Sequence, residues 1–116
     1  MNDLKSWVEE LRNSNELIIV EGKKDKRALE SLGITNIIIL NKPLFEVVEK
    51  VSSNNTRCVL LTDLDKKGKM LYAKLKKDLQ RNGVKTIDSY RNFLFKHTNL
   101  LNIEGLITYI NRNPML

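Results

Sequence analysis

The feature that most constrains this chain is a pair of short apolar runs, each ending in acid. Leu17-Ile18-Ile19-Val20 runs into Glu21-Gly22-Lys23, and Cys58-Val59-Leu60-Leu61-Thr62 runs into Asp63-Leu64-Asp65. Runs this short, rich in Ile, Val and Leu and bounded by polar residues and Gly, read as buried parallel strands. In open α/β sheets the ligand crevice lies beyond the carboxyl ends of the strands. Glu21, Asp63 and Asp65 are therefore expected where such a fold does its chemistry.

The rest of the chain alternates around these runs. Leu4, Trp7, Val8 and Leu11 predict an amphipathic helix over 3–13, capped by Asn2 or Asp3. A strand at 17–20 precedes a helix over 24–32 that Gly33 ends, and Ile37 to Leu40 is the next strand. Pro43 suits the first turn of a third helix carrying Leu44, Val47, Val48 and Val51, and Ser52 to Thr56 reads as a loop. A strand at 58–62, a long helix over 67–82 closed by Gly83, and a strand at 84–88 complete a β-α-β-α-β-α-β order. That order predicts an α/β fold, with a mainly parallel sheet of about four strands covered on both faces. The tail, 90–112, reads as helical, with one helix over 90–97 and a second built on Ile103, Leu106, Ile107 and Ile110 before Pro114. A chain of 116 residues is expected to form one domain, 1–116.

Lys and Arg total 20 against 14 Asp and Glu, a formal charge of +6 that favours encounter with a polyanion. Cys58 stands alone, which excludes an intrachain disulfide and a cysteine-based metal cluster. The N-terminal residues lack an export pattern, and no run reaches the roughly 18 apolar residues of a membrane span. A cytoplasmic protein with no membrane partner is the expectation.

Asp63 and Asp65, two apart, point to one side of the chain if the backbone there stays extended. Glu21 shares their site only if strands one and three are neighbours. Carboxylates crowded together raise one another's pKa unless a cation offsets them. Mg²⁺ suits them, since it takes oxygen ligands and binds through one or two carboxylates with waters and substrate phosphate; Mn²⁺ is a possible substitute. The alternative is that the two Asp residues simply cap the helix near Lys67. Gly22 suits a tight turn, and Asp25 either caps the following helix or orients a water or lysine. Gly68 either admits a phosphate to the helix amides or is a plain loop glycine.

Between 66 and 85 stand Lys66, Lys67, Lys69, Lys74, Lys76, Lys77, Arg81 and Lys85 against a single acid, Asp78. Leu71, Leu75 and Leu79 form the buried stripe, and Lys67, Lys74, Lys77 and Arg81 lie opposite. This is either a solvated helix face or a track for a phosphate backbone, with Lys23, Lys24, Lys26 and Arg27 extending the positive rim. Trp7, Phe93 and Phe95 either stack bases or anchor the terminal helices, and His97 reads as a surface or packing residue.

The segments Ile18-Ile19-Val20-Glu21-Gly22-Lys23-Lys24-Asp25 and Leu60-Leu61-Thr62-Asp63-Leu64-Asp65-Lys66-Lys67-Gly68 resemble the Toprim domain over about 15–88. That domain occurs in topoisomerases, bacterial-type primases, OLD-family nucleases, RecR recombination proteins and ribonuclease M5. The whole chain looks most like small stand-alone Toprim proteins of archaea and some bacteria. The resemblance implies a three-layer, Rossmann-like fold, with 3–13 and 90–112 as added helices. It implies that Glu21 is the family glutamate, a general acid/base and sometimes a metal ligand, and that Asp63 and Asp65 hold Mg²⁺. Lys23 resembles the lysine of the Glu-Gly-Lys form and joins those three acids as a catalytic candidate. Lys24, Lys66, Lys67, Gly68, Lys74, Lys77 and Arg81 are the expected phosphate and nucleic-acid contacts. One departure is that Lys66-Lys67 puts no acid between Asp65 and Gly68, which weakens a two-metal assignment. The chain is too short for strand passage or template handling. The expectation is Mg²⁺-dependent phosphodiester chemistry on DNA or RNA, of nuclease or nucleotidyl-transfer type. The alternative is a non-catalytic nucleic-acid-binding or assembly module that works with a protein partner, since RecR is a Toprim protein that need not cleave. An oligomer is compatible with either.

Overall fold

The computed structural model describes residues 1–113. In chain order the elements are α1 (Leu4–Asn13), β1 (Ile18–Val20), α2 (Lys23–Ser31), β2 (Ile37–Ile39), α3 (Leu44–Asn54), β3 (Arg57–Leu60), α4 (Lys66–Arg81), β4 (Lys85–Ile87) and α5 (Ser89–His97). A single 3₁₀ turn, Ile103–Gly105, leads into α6 (Leu106–Arg112). The four strands are all parallel and lie in the order β2-β1-β3-β4.

The central strands β1 and β3 are apolar on both faces, so their alternate residues enter two separate cores. Ile18, Val20, Val59 and Leu61 pack with Trp7 and Leu11 of α1, Leu29 of α2, Leu94 of α5, and Ile103 and Leu106. Leu17, Ile19, Cys58 and Leu60 pack on the other face with Val47, Val48 and Val51 of α3 and Leu75 and Leu79 of α4. The result is the three-layer α/β architecture expected, with helices on both faces of the sheet.

The helix ends follow local chemistry. Asp3 caps α1, its Oδ1 accepting the Ser6 N–H at 2.8 Å. Gly33 and Gly83, at φ +80° and +81°, turn the chain out of α2 and α4 in the left-handed region. Several boundaries shift by one to three residues from the reading above: β3 ends at Leu60 rather than at 62, and the final helix begins at Leu106 rather than at Ile103. Pro43 precedes α3 rather than opening it. The helix also runs on through Ser52, Ser53 and Asn54, which were expected in a loop. There Ser53 Oγ donates to the Glu49 carbonyl at 2.7 Å and Asn54 Nδ2 to the Lys50 carbonyl at 3.0 Å, so polar side chains fasten the last turn. Pro114, expected to stop the final helix, lies outside the described residues.

Candidate functional site

The condition for a shared acidic site is met, because β1 and β3 are direct neighbours. Ile18 stands opposite Val59 and Ile19 opposite Leu60, and the Leu61 N–H donates to the Ile19 carbonyl at 2.9 Å. Parallel pairing in this register delivers Glu21 and Asp63 to the same end of the sheet. There Glu21 Oε2 accepts the backbone N–H of Asp63 at 2.8 Å, joining the two loops directly.

The C-terminal 3₁₀ turn closes over both loops. Asp63 Oδ1 accepts the Ile103 N–H at 2.8 Å, and Asp25 Oδ1 accepts the Glu104 N–H at 3.1 Å. The other Asp25 oxygen accepts the Gly22 N–H at 3.0 Å, at the start of α2. Asp25 is only 5% exposed. Its carboxyl is raised above the ordinary range by burial; the Gly22 and Glu104 N–H groups oppose this, and the charges of Glu104 and Glu21 add to it. Asp63 is pushed up further, to about 7. Burial is again the main cause, with the Ile103 N–H working against it and Asp25, Glu21 and Asp65 adding repulsion.

These acids floor an open cleft of about 460 Å³. Glu21, Asp25, Asp63 and Glu104 line it together with Lys23, Lys24, Lys67 and Asn102. Asp65 is not part of that lining. Its Oδ1 accepts the Gly68 N–H at 2.8 Å and caps α4, the alternative the sequence had left open. Among the described residues no group of three or more His, Cys, Asp or Glu side chains is placed to hold a metal ion. Glu21, Asp63 and Asp65 thus come to one end of the sheet without forming a ready-made cage.

Gly68 has a different reason for being glycine from either one expected. A Cβ there would lie 1.9 Å from the Asp63 carbonyl oxygen, so only glycine lets α4 begin this close to the acidic loop. Its N–H is already taken by Asp65, and its carbonyl accepts the buried Thr62 hydroxyl at 2.9 Å.

Arg91 is the supporting residue that the sequence reading missed. It is 6% exposed, and its Nε and Nη2 donate to the carbonyls of Thr62 at 3.1 Å and Asp63 at 2.9 Å. Its guanidinium lies 4.5 Å from the Tyr72 ring centroid. Arg91 therefore fixes the backbone that presents Asp63. Glu104 and Asn102 were likewise not singled out as site residues, since a contact such as Asp25 to Glu104 spans 79 positions.

The basic residues divide. Lys23, Lys24 and Lys67 rim the acid cleft. Lys66 is exposed at the start of α4, and Lys74, Lys77 and Arg81 are exposed further along it. Lys74 pairs with Asp78 at 3.6 Å, and Lys76 with Asp88 at 2.6 Å. At about 1.5 Å per residue, Arg81 lies about 21 Å along the helix from Lys67. Trp7 and Phe93 are core residues, with Trp7 Nε1 donating to the Tyr90 carbonyl at 2.9 Å. Phe95 is 55% exposed with Lys69 Nζ 5.0 Å from its ring centroid. His97 is exposed against the Phe93 ring. Cys58 is buried, and its thiol is pushed up to about 11, chiefly by burial, which suits packing rather than reactivity. Among the described residues no helix is long and apolar enough to cross a membrane.

Comparison with known proteins matches residues 15–87 to the Toprim domain. A UPF0292 protein of Methanocaldococcus jannaschii is 35% identical over 100 residues, covering 82% of this chain and 78% of that protein. A UPF0292 protein of Methanosarcina barkeri is 33% identical over 116 residues, covering 97% of this chain and 81% of that protein. A solved structure from Aquifex aeolicus superposes with a TM-score of 0.84 at 35% identity, covering 90% of this chain and 99% of that one. The two archaeal relatives are UPF0292 proteins, and neither carries the name of a ribonuclease, primase or topoisomerase.

Proposed function

The chain belongs to the Toprim-domain family, and from that premise we propose that it carries out Mg²⁺-dependent phosphodiester chemistry on nucleic acid. The observation that carries this reading is the meeting of Glu21 and Asp63 in a cleft rimmed by Lys23, Lys24 and Lys67.

The donors fit a hard cation. Glu21 Oε2 and Asp63 Oδ1 are engaged by backbone N–H groups, while the second oxygen of each accepts no hydrogen bond among the described residues. A carboxyl raised to about 7 beside other acids is a group that a cation would bring back to its ionised form. Mg²⁺ needs only one or two carboxylates when waters and a substrate phosphate complete its shell, so a three-acid cage is not required. Asp63 and Glu21 would hold it, with Asp65 Oδ2 in support, and Mn²⁺ would substitute. The bound cation would polarise the phosphate and stabilise its developing charge. Where the free oxygen of Glu21 is not taken up by the cation, it would instead hold a proton in transfer. Lys23, Lys24 and Lys67 bind the flanking phosphates, Asp65 keeps the start of α4 in place, and Arg91 holds Asp63 from behind.

A second reading, a non-catalytic nucleic-acid-binding module, has its own support. Every acid in the motif also holds backbone: Glu21 holds Asp63, Asp63 holds Ile103, and Asp65 holds Gly68. A domain whose acids are structural would keep them without turnover.

Release of labelled product from single-stranded, duplex and structured RNA and DNA separates the two. Catalysis predicts turnover with Mg²⁺ or Mn²⁺ that EDTA abolishes and that Asp63→Asn lowers by about a hundredfold or more, with the unfolding midpoint not lowered. Binding without product across the panel would install the second reading. Full turnover in the variant would mean a contaminating nuclease.

A further inference from the structure

We propose that a nucleic-acid strand leaves the acid cleft across α2 and the C-terminal turn, through a depression rimmed by Lys24 and Arg27, and not along the basic face of α4. The proposal rests on the reading above that the partner is nucleic acid, and it names the surface that holds the strand.

Continuity is the first ground. A second open depression, of about 480 Å³, shares Lys24, Asn102 and Glu104 with the acid cleft and adds Arg27 and Ile107. The two depressions form one path with Lys24 at the junction.

Charge is the second. Among the described residues Lys23, Lys24, Arg27 and Lys67 make no ion pair and line this path, whereas along α4 Lys74 is paired with Asp78 and Lys76 with Asp88, and the unpaired Lys77 and Arg81 line neither depression. Unpaired cations facing one path repel one another, and a phosphate backbone relieves that repulsion. Lys24 and Arg27 are three apart on α2, so their Cβ atoms stand about 5–6 Å from each other on one face. That is of the order of the spacing between neighbouring phosphates in an extended strand.

Rigidity is the third. The far wall is the 3₁₀ turn, whose Ile103 and Glu104 N–H groups are held by Asp63 and Asp25. The path therefore keeps a set position relative to the acids. The cations of α4 instead recede from the cleft, by about 21 Å at Arg81. Outside the cleft's own acids the opposing group is Glu104, an exposed carboxylate in the wall of both depressions. It is expected to weaken binding, and its backbone contact with Asp25 does not depend on its side chain.

Anisotropy of a labelled single-stranded oligonucleotide, in DNA and RNA arms, tests the path. Lys24→Ala/Arg27→Ala is compared with Lys77→Ala/Arg81→Ala, which removes the same charge. The α2 pair is expected to weaken binding about tenfold and to flatten the log–log salt dependence by about 1.4, two contacts at about 0.7 each. The α4 pair is expected to weaken it by less than about threefold, a field effect. Glu104→Gln is expected to tighten it. Thermal melting checks each fold, and Lys24→Gln/Arg27→Gln replaces the alanine pair if that pair melts early. Equal losses from the two pairs, or a larger loss from α4, overturn the path. If that happens while the unaltered protein still releases product, the phosphodiester reading stands and only the path falls. If the unaltered protein binds neither arm, both fall.

Discussion

The two helical layers hold the same sheet by different means. On one face α3 and α4 press Val47, Val48, Val51, Leu75 and Leu79 against Ile19, Cys58 and Leu60, a mainly apolar contact. On the other face α1, α2, α5 and the C-terminal turn bury an apolar surface as well, but they add polar keys. Arg91 donates to the carbonyls of Thr62 and Asp63, Trp7 to that of Tyr90, and the Ile103 and Glu104 N–H groups donate to Asp63 and Asp25. The first layer asks only for volume and shape. The second asks for particular groups, and several of them belong to the candidate site. Site and stability can thus be altered separately at the buried apolar residues of α3 and α4, but not at the start of α4 or in the other layer.

The largest effect is expected in the apolar layer. Leu60→Ala leaves a cavity beneath α3 and α4 and should cost about 2–5 kcal/mol in urea unfolding. The pH dependence of stability should keep its shape, because no titrating group of the cleft touches this layer. A changed shape would break the distinction between the layers.

Arg91→Met is expected to have an effect of about the same size. It preserves much of the packed stem but leaves two carbonyls without their charged donor, at about 1.5–3 kcal/mol per bond, not fully additive. Unlike Leu60→Ala, it should also reduce Mg²⁺-dependent protection against thermal unfolding, because Asp63 loses its backing. A loss of stability alone would make Arg91 a packing residue and nothing more.

The third prediction concerns pH. With its carboxyl pushed up to about 7, folded Asp63 keeps a proton at pH values where the unfolded chain, near the ordinary 3.8, has lost it. The folded state then binds more protons than the unfolded one, so stability should fall as pH rises from about 4 to about 7 and level off above. Asp25, raised in the same direction, contributes to the fall. Asp3, lowered by its bonds to Ser6, acts in the opposite sense and is common to parent and variant. Asp63→Asn, which keeps an acceptor for the Ile103 N–H, should flatten the fall and be the more stable protein above pH 7. An undiminished fall in the variant, followed by urea midpoints across pH, would remove Asp63 as its source.

The smallest effect separates cap from ligand at Asp65. Asp65→Ala should cost about 1 kcal/mol by uncapping α4, and Asp65→Ser should restore most of it. If Asp65→Ser keeps Mg²⁺-dependent product release as well, Asp65 is a cap only. If stability returns but turnover does not, its carboxylate serves both layer and site.

The α3–α4 layer was the more legible half. Val47, Val48 and Val51, and Leu75 and Leu79, announce their faces by helical spacing within a dozen residues, although Leu71, expected in the same stripe, is only half-buried, and Gly33 and Gly83 mark turns that only a left-handed residue completes easily. The acids at the strand ends were legible too, because a strand that must be buried puts its first polar residue at the rim of the sheet. Legibility failed where a residue's role depends on a distant backbone group. Arg91 reads as an ordinary charged residue until the Thr62 and Asp63 carbonyls are found beside it. Gly68 reads as a loop glycine until the Asp63 carbonyl is found where its Cβ would be.

By itself the sequence determined the α/β class, the four strands, and the delivery of Glu21, Asp63 and Asp65 to strand ends, because periodicity and polarity act over a few neighbouring residues. Strand order, the engagement of Asp63 and Asp25 by the C-terminal turn, and the hold of Arg91 on the Thr62 and Asp63 carbonyls were decided by the tertiary structure. Those outcomes rest on which buried N–H and carbonyl groups find partners across 28 to 79 positions. That competition is settled only when the layers close, since an unpaired polar group is costly only once water has gone.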